Sequence, residues 1–326
     1  MFSYRAILKQ AWIITWKHKY LWFFGLFASL AIASGGVEHQ FIATSFNQNL
    51  INGSFYFLNY FLAFGLLMQN LWSGIVELFS YDLLTIVNTL TVALTALILI
   101  ATFIWLTFTS QAALVIGIKK IVSAKKKDAV LSIREGMTKG HKHFWSVLSL
   151  NLLAKVLICA SLFIIGLPLL FMLVSKSYIA IILYTLFFVV FVPIAVSITL
   201  IIKYAICYRV LDDESFVLSI EKAYKLFKKN WLISIELAII LFIISFLAGF
   251  LLLALGYIFI VPLFLVGAML KATWLMSLMI ALGFIILVVF GSVLTTFQVS
   301  TWTNLFLLLK DNQGAAKLER IFKRKK

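Results

Sequence analysis

Long apolar stretches alternate along the chain with short clusters of basic residues. Six stretches carry the strongest membrane-spanning pattern: residues 20–34, 83–118, 144–167, 178–208, 231–261 and 272–309. A spanning helix needs about 20 residues, so all but the first are long enough. The first, with 15 residues, requires flanking side chains to snorkel or the bilayer to thin. The second, fourth and sixth exceed roughly 45 Å as continuous helices, so we expect them to project beyond the hydrocarbon layer.

Residues 54–79 are also apolar, but polar side chains such as Gln69 and Glu77 interrupt them. A span here would make the number of crossings between Lys19 and Lys119 odd. It would place the basic residues that follow Lys119 on the outer side, against the positive-inside rule. We therefore predict one or two helices that lie on the outer surface or re-enter it, and that form a cap over the bundle or, alternatively, a ligand lid.

Composition supports a membrane protein. Hydrophobic residues make up 63% of the chain and charged residues 12%, with a mean hydropathy of +1.07. Soluble domains carry about a quarter charged residues, so a water-soluble core is excluded. The formal net charge is +16, yet no lysine or arginine occurs between Lys19 and Lys119. This distribution favours anionic lipid headgroups over nucleic acid as partners, and it predicts that the basic segments and both termini face the cytoplasm.

The N-terminus allows two interpretations. Arg5, Lys9, Lys17 and Lys19 precede an apolar run with small residues at 31–33, as in a cleavable signal peptide. Against cleavage, the charged region is long and helical in pattern, and the run opens with aromatic residues typical of a membrane interface. We favour an uncleaved first span.

An internal repeat is the most specific local signal. The segment Val-Leu-Ser-Ile at 130–133 recurs at 217–220, 87 residues later, and each copy belongs to a basic helix with one apolar face. Each helix leads into an apolar stretch that reaches a proline, Pro168 or Pro262, where we expect the helix to end or kink. Residues 13–20 repeat the pattern more loosely.

These patterns predict an all-α, polytopic membrane protein with six transmembrane helices, arranged as three helical-hairpin repeats with amphipathic cytoplasmic elbow helices. Residues 1–129 form the first unit, with an outer-face insertion at 35–82. Residues 130–214 and 215–311 form the second and third units, and residues 312–326 form a basic cytoplasmic tail. The tail is either a short surface helix held by anionic lipid or a disordered topology signal.

One family resemblance follows from short motifs. The segment Lys-Lys-Asn-Trp at 228–231, preceded by Asp-Asp-Glu at 212–214 and Ser-Ile-Glu-Lys-Ala at 219–223, resembles the bacterial superfamily of glycerophosphoryl diester phosphodiesterase membrane domains and YciC-like proteins. The resemblance covers residues 1–311. It implies a six-span module of the bacterial cytoplasmic membrane, fused in some relatives to a soluble phosphodiesterase domain. This chain leaves no room for that domain, so the enzymatic activity is not carried over.

Catalytic chemistry is not predicted. A metal-dependent phosphodiesterase needs several carboxylates and histidines around a hard cation. The chain has four histidines, His18, His39, His141 and His143, and all except His39 lie in basic elbows. Cys159 and Cys207 lack a CxxC spacing and are interpreted as packing residues. No hydrolase, P-loop or dinucleotide motif is present, so we expect a non-enzymatic protein without a metal site or cofactor.

Ionisable groups inside the predicted spans are the remaining hints of function. Lys155 lies 11 residues after Phe144, and Glu236 lies five residues after Trp231, which is about 16 Å and about 8 Å along their helices. With Gln298 of the last span they form the candidate intramembrane polar site. A contact between Lys155 and Glu236 across the seam between repeats would either orient the helices or belong to a transport or binding path.

The candidate contacts to lipid headgroups are lysines of the elbows: Lys17, Lys19, Lys139, Lys142, Lys225, Lys228 and Lys229. The first functional hypothesis is a non-enzymatic membrane module that organises or contacts anionic lipid or partner proteins through these side chains. The alternative is a permease-like carrier of a small or lipidic solute through the seam between repeats.

Overall fold

The computed structural model describes residues 3–33, 69, 82–123, 132–174 and 178–311, and all regular secondary structure in these ranges is helical. Nine helices follow one another in these ranges: α1 (Tyr4–Lys17), α2 (Leu21–Ala33), α3 (Leu83–Ser123), α4 (Ile133–Lys142), α5 (Phe144–Val174), α6 (Tyr178–Leu211), α7 (Phe216–Lys229), α8 (Trp231–Met269) and α9 (Thr273–Lys310). The predicted insertion at 35–82, apart from Gln69 and Asp82, and the predicted tail at 312–326 lie outside the described residues.

Five segments are long and apolar enough to cross a membrane within the described ranges: Leu83–Ser123, Phe144–Ser161, Val189–Leu211, Trp231–Met269 and Thr273–Lys310. The prediction of an all-helical protein is confirmed, but five spans are shown rather than six. The predicted first span forms α2, which has 13 residues and is about 20 Å long. A hydrocarbon core is about 30 Å thick, so the described length of α2 does not cross it.

The prolines do not end their helices, which leaves the kink as the remaining part of the prediction. α8 continues beyond Pro262 to Met269, and α5 runs past position 168 to Val174. Pro193 likewise lies inside α6. Such prolines are tolerated in membrane helices because neighbouring helices and local adjustments satisfy the freed backbone carbonyls.

Contacts divide the chain into two units, Met1–Ile32 with Thr107–Lys326, and Ala33–Leu106. In the second unit, the described residues of α3 expose their apolar side chains from Leu83 to Ile104. Threonines in this segment donate hydrogen bonds to carbonyls one turn back in their own helix. The polar groups are thereby satisfied within the helix, which suits an apolar environment.

The first unit is packed at one end, whereas its helices expose apolar side chains at the other. α5 packs on α6, α6 on α7, α8 on α9, and α1 on α9. Large buried side chains include Phe24, Tyr204 and Phe306. Along α8 beyond Leu241, and along α9 before Ser292, most side chains are apolar and exposed. The protein core of this unit therefore occupies only part of each long helix.

Two glycines let helices approach closely in the first unit. A Cβ atom on Gly140 of α4 would overlap the Thr109 carbonyl oxygen of α3 and lie 3.1 Å from the Ala113 backbone nitrogen. A Cβ on Gly25 of α2 would meet the Ser292 carbonyl oxygen of α9. Small residues at helix contacts are typical of membrane proteins, where close packing replaces the hydrophobic driving force.

Three short helices each precede another helix: α1 precedes α2, α4 precedes α5, and α7 precedes α8. Their buried residues lie at helical spacing, and their lysines are exposed or half-buried: Ile7, Ala11, Ile14 and Thr15 in α1, Gly136 and Gly140 in α4, and Ser219, Ala223 and Phe227 in α7. A single residue, His143 or Asn230, separates α4 from α5 and α7 from α8. α4 and α7 are thus followed almost directly by the long helices α5 and α8.

Candidate functional site

The structure gives the predicted intramembrane residues separate partners. The Tyr4 hydroxyl of α1 donates a hydrogen bond to Oε2 of Glu236 on α8. Gln298 Nε2 of α9 donates to Ser245 Oγ of α8 at 2.8 Å. Lys155 of α5 is half-buried and forms no ion pair with Glu236 among the described residues. The expected contact between Lys155 and Glu236 is therefore not formed.

The helix α9 provides a scale along the first unit. Lys310, at its C-terminal end, forms an ion pair with Asp212 at 2.7 Å between Nζ and Oδ2. We name this end, with α4, α7 and residues 211–215, the basic end. Gln298 lies 12 residues before Lys310 in α9, which corresponds to about 18 Å along the helix.

The turn between α1 and α2 lies near the level of Gln298. The Thr296 hydroxyl donates to the Leu21 carbonyl oxygen at 3.4 Å, which fixes the start of α2 against α9. Lys17 and Lys19, two of the predicted headgroup contacts, are exposed in this turn. They are therefore displaced from the basic end by about 20 Å, measured along α9.

Lys155 reaches the same level on the opposite side of the unit. Arg209 Nε of α6 donates to Ser146 Oγ of α5 at 2.9 Å, which aligns these two helices close to Asp212. Lys155 lies nine residues further along α5, or about 14 Å beyond Ser146. Asp212, at the basic end, lies three residues beyond Arg209. Adding this length to the distance from Ser146 to Lys155 places Lys155 about 18 Å from the basic end.

Tryptophans accompany the lysines at this level. Trp12 and Trp16 of α1 are 54% and 44% exposed, and the Trp12 ring lies 6.1 Å from that of Phe297 on α9. Trp22 donates from Nε1 to the Thr15 carbonyl oxygen at 2.8 Å. We name the set Lys17, Lys19, Lys155, Gln298, Trp12 and Trp16 the lysine–tryptophan belt. Lysine and tryptophan together are the residues that mark a membrane–water interface.

Sequence reasoning missed Lys203. Its Nζ lies 4.9 Å from the ring centroid of Trp302, and it belongs to α6, between the belt and the basic end. Cation–π contacts of this kind hold a lysine where little water is present. The sequence could have identified Lys203, because it is the one charged residue between Tyr178 and Tyr208.

Several polar residues near the C-terminal end of α9 are buried in the protein. Thr296 and Thr301 donate to carbonyl oxygens one turn back, both at 2.8 Å. The Ser300 hydroxyl and the Asn304 amide are buried without a hydrogen-bond partner among the described residues. Buried polar groups usually have hydrogen-bond partners, so burial of this face of α9 costs free energy of folding.

Ion pairs link several helices at the basic end. Asp212 accepts from Lys310 of α9 and lies 3.9 Å from Lys119 Nζ of α3. Lys119 also donates to the Leu211 carbonyl oxygen at 2.7 Å. Asp213, next in the chain, has a φ of 53°, in the left-handed region that aspartate tolerates better than most residues. The acidic segment 212–214, singled out in the sequence, therefore ties helix ends together.

A cavity of about 290 Å³ opens beside this segment at the basic end. Its lining comes from α3, α4, the residue between α4 and α5, the end of α6 and the acidic segment: Ile116, Lys119, Lys139, Lys142, His143, Val210, Leu211 and Asp213. Three lysines, one histidine and one aspartate thus contribute to the lining. We name it the lysine cavity.

Two ionisable groups at the lysine cavity have shifted pKa values. Burial lowers the pKa of His143 below 6.5, and Arg209 and Lys142 lower it further, whereas Asp213 opposes the shift. His143 Nε2 lies 3.7 Å from Asp213 Oδ1. The pKa of Glu135 is lowered, chiefly by the hydrogen bond that Lys139 donates at 2.8 Å. The cavity is therefore lined by a histidine that stays neutral near pH 7.

The predicted headgroup lysines fall into two groups. Lys17 and Lys19 belong to the belt, whereas the others lie on α4 and α7 at the basic end: Lys139, Lys142, Lys225, Lys228 and Lys229. Lys225 is paired with Glu221 at 2.5 Å, one turn away in α7. About 18 Å of helix separates the two groups.

Within the described ranges, no three His, Cys, Asp or Glu side chains converge as a metal ion requires. Cys159 is exposed and Cys207 is buried, both as free thiols. The fold and its basic end define a helical protein with the architecture of a multi-pass membrane protein. No protein family, characterised protein or solved structure matches the chain.

Proposed function

We propose that this protein is a non-enzymatic membrane module that contacts anionic lipid headgroups through the lysine–tryptophan belt. Its basic end then stands in the cytoplasm, beyond the bilayer, where partner proteins can reach it. The observation that carries the proposal is the common level of exposed Lys17, Lys19, Trp12 and Trp16 in the first unit, with Lys155 at the same level. Basic side chains near a membrane surface gain about 1 kcal/mol each from anionic lipid.

Helix lengths support a membrane boundary at the belt rather than at the basic end. α8 has 39 residues and is about 58 Å long, almost twice the hydrocarbon thickness. From Lys155 to Val174, α5 contains 20 residues, or about 30 Å, which matches that thickness. A lysine in the middle of the hydrocarbon costs at least about 3 kcal/mol, and this cost disappears if Lys155 lies at the interface.

Side-chain exposure supports the same boundary. Beyond Ser245 on α8, and before Gln298 on α9, most exposed side chains are apolar, as lipid contact requires, with Thr273 and Ser277 near the start of α9 as exceptions. On the other side of the belt, ion pairs such as Lys310 with Asp212 and Lys222 with Glu214 link partly exposed side chains. Pairs of this kind are typical of aqueous surfaces.

The six-span, three-hairpin architecture is part of the proposal, with α2 as the start of the first span. The repeat draws support from burial at corresponding positions. Gly136 and Ala223, and likewise Gly140 and Phe227, lie 87 residues apart and are all buried. We retain the bacterial cytoplasmic membrane, cytoplasmic termini and the YciC-like superfamily as proposed assignments, supported by the charge pattern and the motifs of the sequence.

The belt is tested with the double variant Lys17→Gln/Lys19→Gln in nanodiscs. The measurement is the fraction of spin-labelled phosphatidylglycerol, relative to phosphatidylcholine, that is motionally restricted in the electron paramagnetic resonance (EPR) spectrum. Two lysines at about 1 kcal/mol each predict a loss of about 30-fold in selectivity when both contacts are fully formed. The matched control, Lys225→Gln/Lys228→Gln, removes the same charge at the basic end and should keep the selectivity.

The reverse result would contradict the belt. If the control variant loses the preference for phosphatidylglycerol and the Lys17/Lys19 variant keeps it, the headgroups lie at the basic end. If the unmodified protein shows no preference, contact with anionic lipid is not its function.

A permease-like carrier is the second candidate function. The observation that favours it is the buried face of α9 on which Ser300 and Asn304 have unpaired polar groups among the described residues. Polar groups without partners inside a helical bundle are typical of paths for polar solutes. Flipping of fluorescent phosphatidylglycerol in proteoliposomes tests this function. A carrier should lose flipping in Asn304→Leu and in Glu236→Gln, both inserted normally, and unchanged rates in both variants would exclude this path.

A further inference from the structure

The lysine cavity contains more positive charge than its own residues compensate. Lys119 is held by the Leu211 carbonyl oxygen and lies at the margin of ion-pair distance from Asp212. Lys139 pairs with Glu135, which does not line the cavity. Lys142 forms no ion pair among the described residues. The carboxylate of the lining, Asp213, is 82% exposed.

The cavity is an open cleft with both aliphatic and basic residues in its lining. Its volume of about 290 Å³ is at the lower limit of ligand pockets in proteins, which suits a group rather than a large molecule. Aliphatic side chains of α3 and α6 form one part of the wall, and the lysines project from α3 and α4. Because α3, α4 and α6 are joined by ion pairs and by the close contact at Gly140, the lysines sit on a rigid frame.

We propose that the lysine cavity binds one phosphate group, with Lys142 as its principal contact and Lys119, Lys139 and His143 around it. A tetrahedral dianion or phosphodiester accepts several hydrogen bonds at once, which matches ammonium groups that converge from different helices. Lysine binds phosphate as a point charge and needs no planar geometry. The phosphate comes either from a soluble phosphate compound or from a lipid headgroup. The cavity is separated from the belt by about 18 Å of helix, so a lipid source would place the membrane surface at the basic end and would contradict the belt.

The test uses the full chain in nanodiscs of phosphatidylcholine alone, titrated with inorganic phosphate and followed by phosphorus-31 NMR. We expect saturable binding that weakens about tenfold or more in Lys142→Gln, because a hydrogen bond to a charged group is lost. Lys142→Arg should retain the binding, since the charge and the donors remain. Lys228→Gln is the matched control, because it removes one lysine of α7 outside the cavity.

A second arm distinguishes the source of the phosphate. If inorganic phosphate does not bind, native mass spectrometry should still detect one retained phosphatidylglycerol that is lost in Lys142→Gln and kept in Lys228→Gln, which assigns the site to lipid. The proposal is overturned if neither probe binds, or if Lys142→Gln and Lys228→Gln weaken binding equally. Equal weakening would mean that the phosphate is attracted by the overall positive charge and not by the cavity. The belt is tested separately, by the variants at Lys17 and Lys19. Circular dichroism and the thermal midpoint of each variant show that it remains folded.

Discussion

The contact between α4 and α3 at Gly140 is the most sharply defined packing constraint of the basic end. A Cβ atom on Gly140 overlaps the Thr109 carbonyl oxygen, and it lies 3.1 Å from both the nitrogen and the Cβ of Ala113. These are backbone atoms or atoms next to the backbone, so they cannot rotate away. Gly140→Ala must therefore push α4 away from α3.

Overpacking of this kind costs about 1–3 kcal/mol, while the gain in helix propensity from glycine to alanine returns at most about 1 kcal/mol. We expect a net loss of about 1–2 kcal/mol, or about a 5- to 30-fold change in the unfolding equilibrium. The assay is titration with a denaturing detergent in mixed micelles, followed by tryptophan fluorescence. Gly249→Ala on α8 is the control, because nothing lies within 4 Å of its added Cβ.

The control variant should unfold at the same detergent fraction as the unmodified protein or slightly later. Equal midpoints for Gly140→Ala and Gly249→Ala would refute the close contact between α4 and α3. Since Lys139 and Lys142 are carried by α4, Gly140→Ala should also weaken phosphate binding in the lysine cavity.

Three further outcomes are expected. Burial lowers the pKa of His143 below 6.5, so the unfolded chain takes up a proton first as pH falls, and stability decreases below about pH 6.5. In a series of unfolding midpoints measured against pH, His143→Gln should make the decrease in stability smaller. His18→Gln is measured for comparison, because the pKa of His18 is lowered too. Tyr4→Phe removes a hydrogen bond to a carboxylate and should cost about 1.5–3 kcal/mol in the same detergent titration. Ser245→Ala breaks an uncharged bond between helices and should cost about 0.6 kcal/mol, so a larger effect than in Tyr4→Phe would contradict the assigned partners.

The helices themselves were predictable from local patterns. The apolar stretches end where lysines, acidic residues or loop residues begin, and α8 and α9 start within one residue of the predicted positions. The prediction allowed proline to end or kink the helix, and the first alternative is excluded because Pro262 lies inside α8. Neighbouring helices supply what an isolated helix lacks at a proline, and this effect is not visible in one segment of sequence.

The level of the membrane could not be predicted from hydropathy. Leu114, Val115 and Phe306 are as apolar as residues that face lipid, but in the structure they are buried against other helices. Counting from Phe144 gives Lys155 a depth of about 16 Å, whereas the proposed boundary at the belt puts it at the interface. The contacts of α5 with α6 and of α9 with Asp212 were needed to align Lys155 with Lys17 and Lys19. Such contacts join residues that are far apart in the sequence, so the sequence does not reveal them.

The lysine cavity was only partly foreseeable. Lys139 and Lys142 were candidate headgroup contacts because they lie in a basic helix. Lys119 and Asp213 join them only because α3, α4 and the end of α6 meet, and these segments are far apart in the sequence. The useful sequence signal was the acidic segment 212–214, which stands out in a strongly basic chain. Ion pairs from this segment to Lys119, His143 and Lys310 bring together the helix ends that surround the cavity.

A depth scan along α5 tests the central claim, the membrane boundary at the belt, most directly. Spin labels are placed one at a time at the exposed positions Trp145, Ser149, Leu152 and Val156, with Cys159 and Cys207 replaced by alanine. EPR accessibility to oxygen, which concentrates in lipid, is compared with accessibility to a water-soluble nickel complex. The account predicts that Trp145 and Ser149 are accessible from water and that the crossover to lipid falls between Leu152 and Val156. A crossover at Trp145, with Ser149 already in the hydrocarbon, would contradict it.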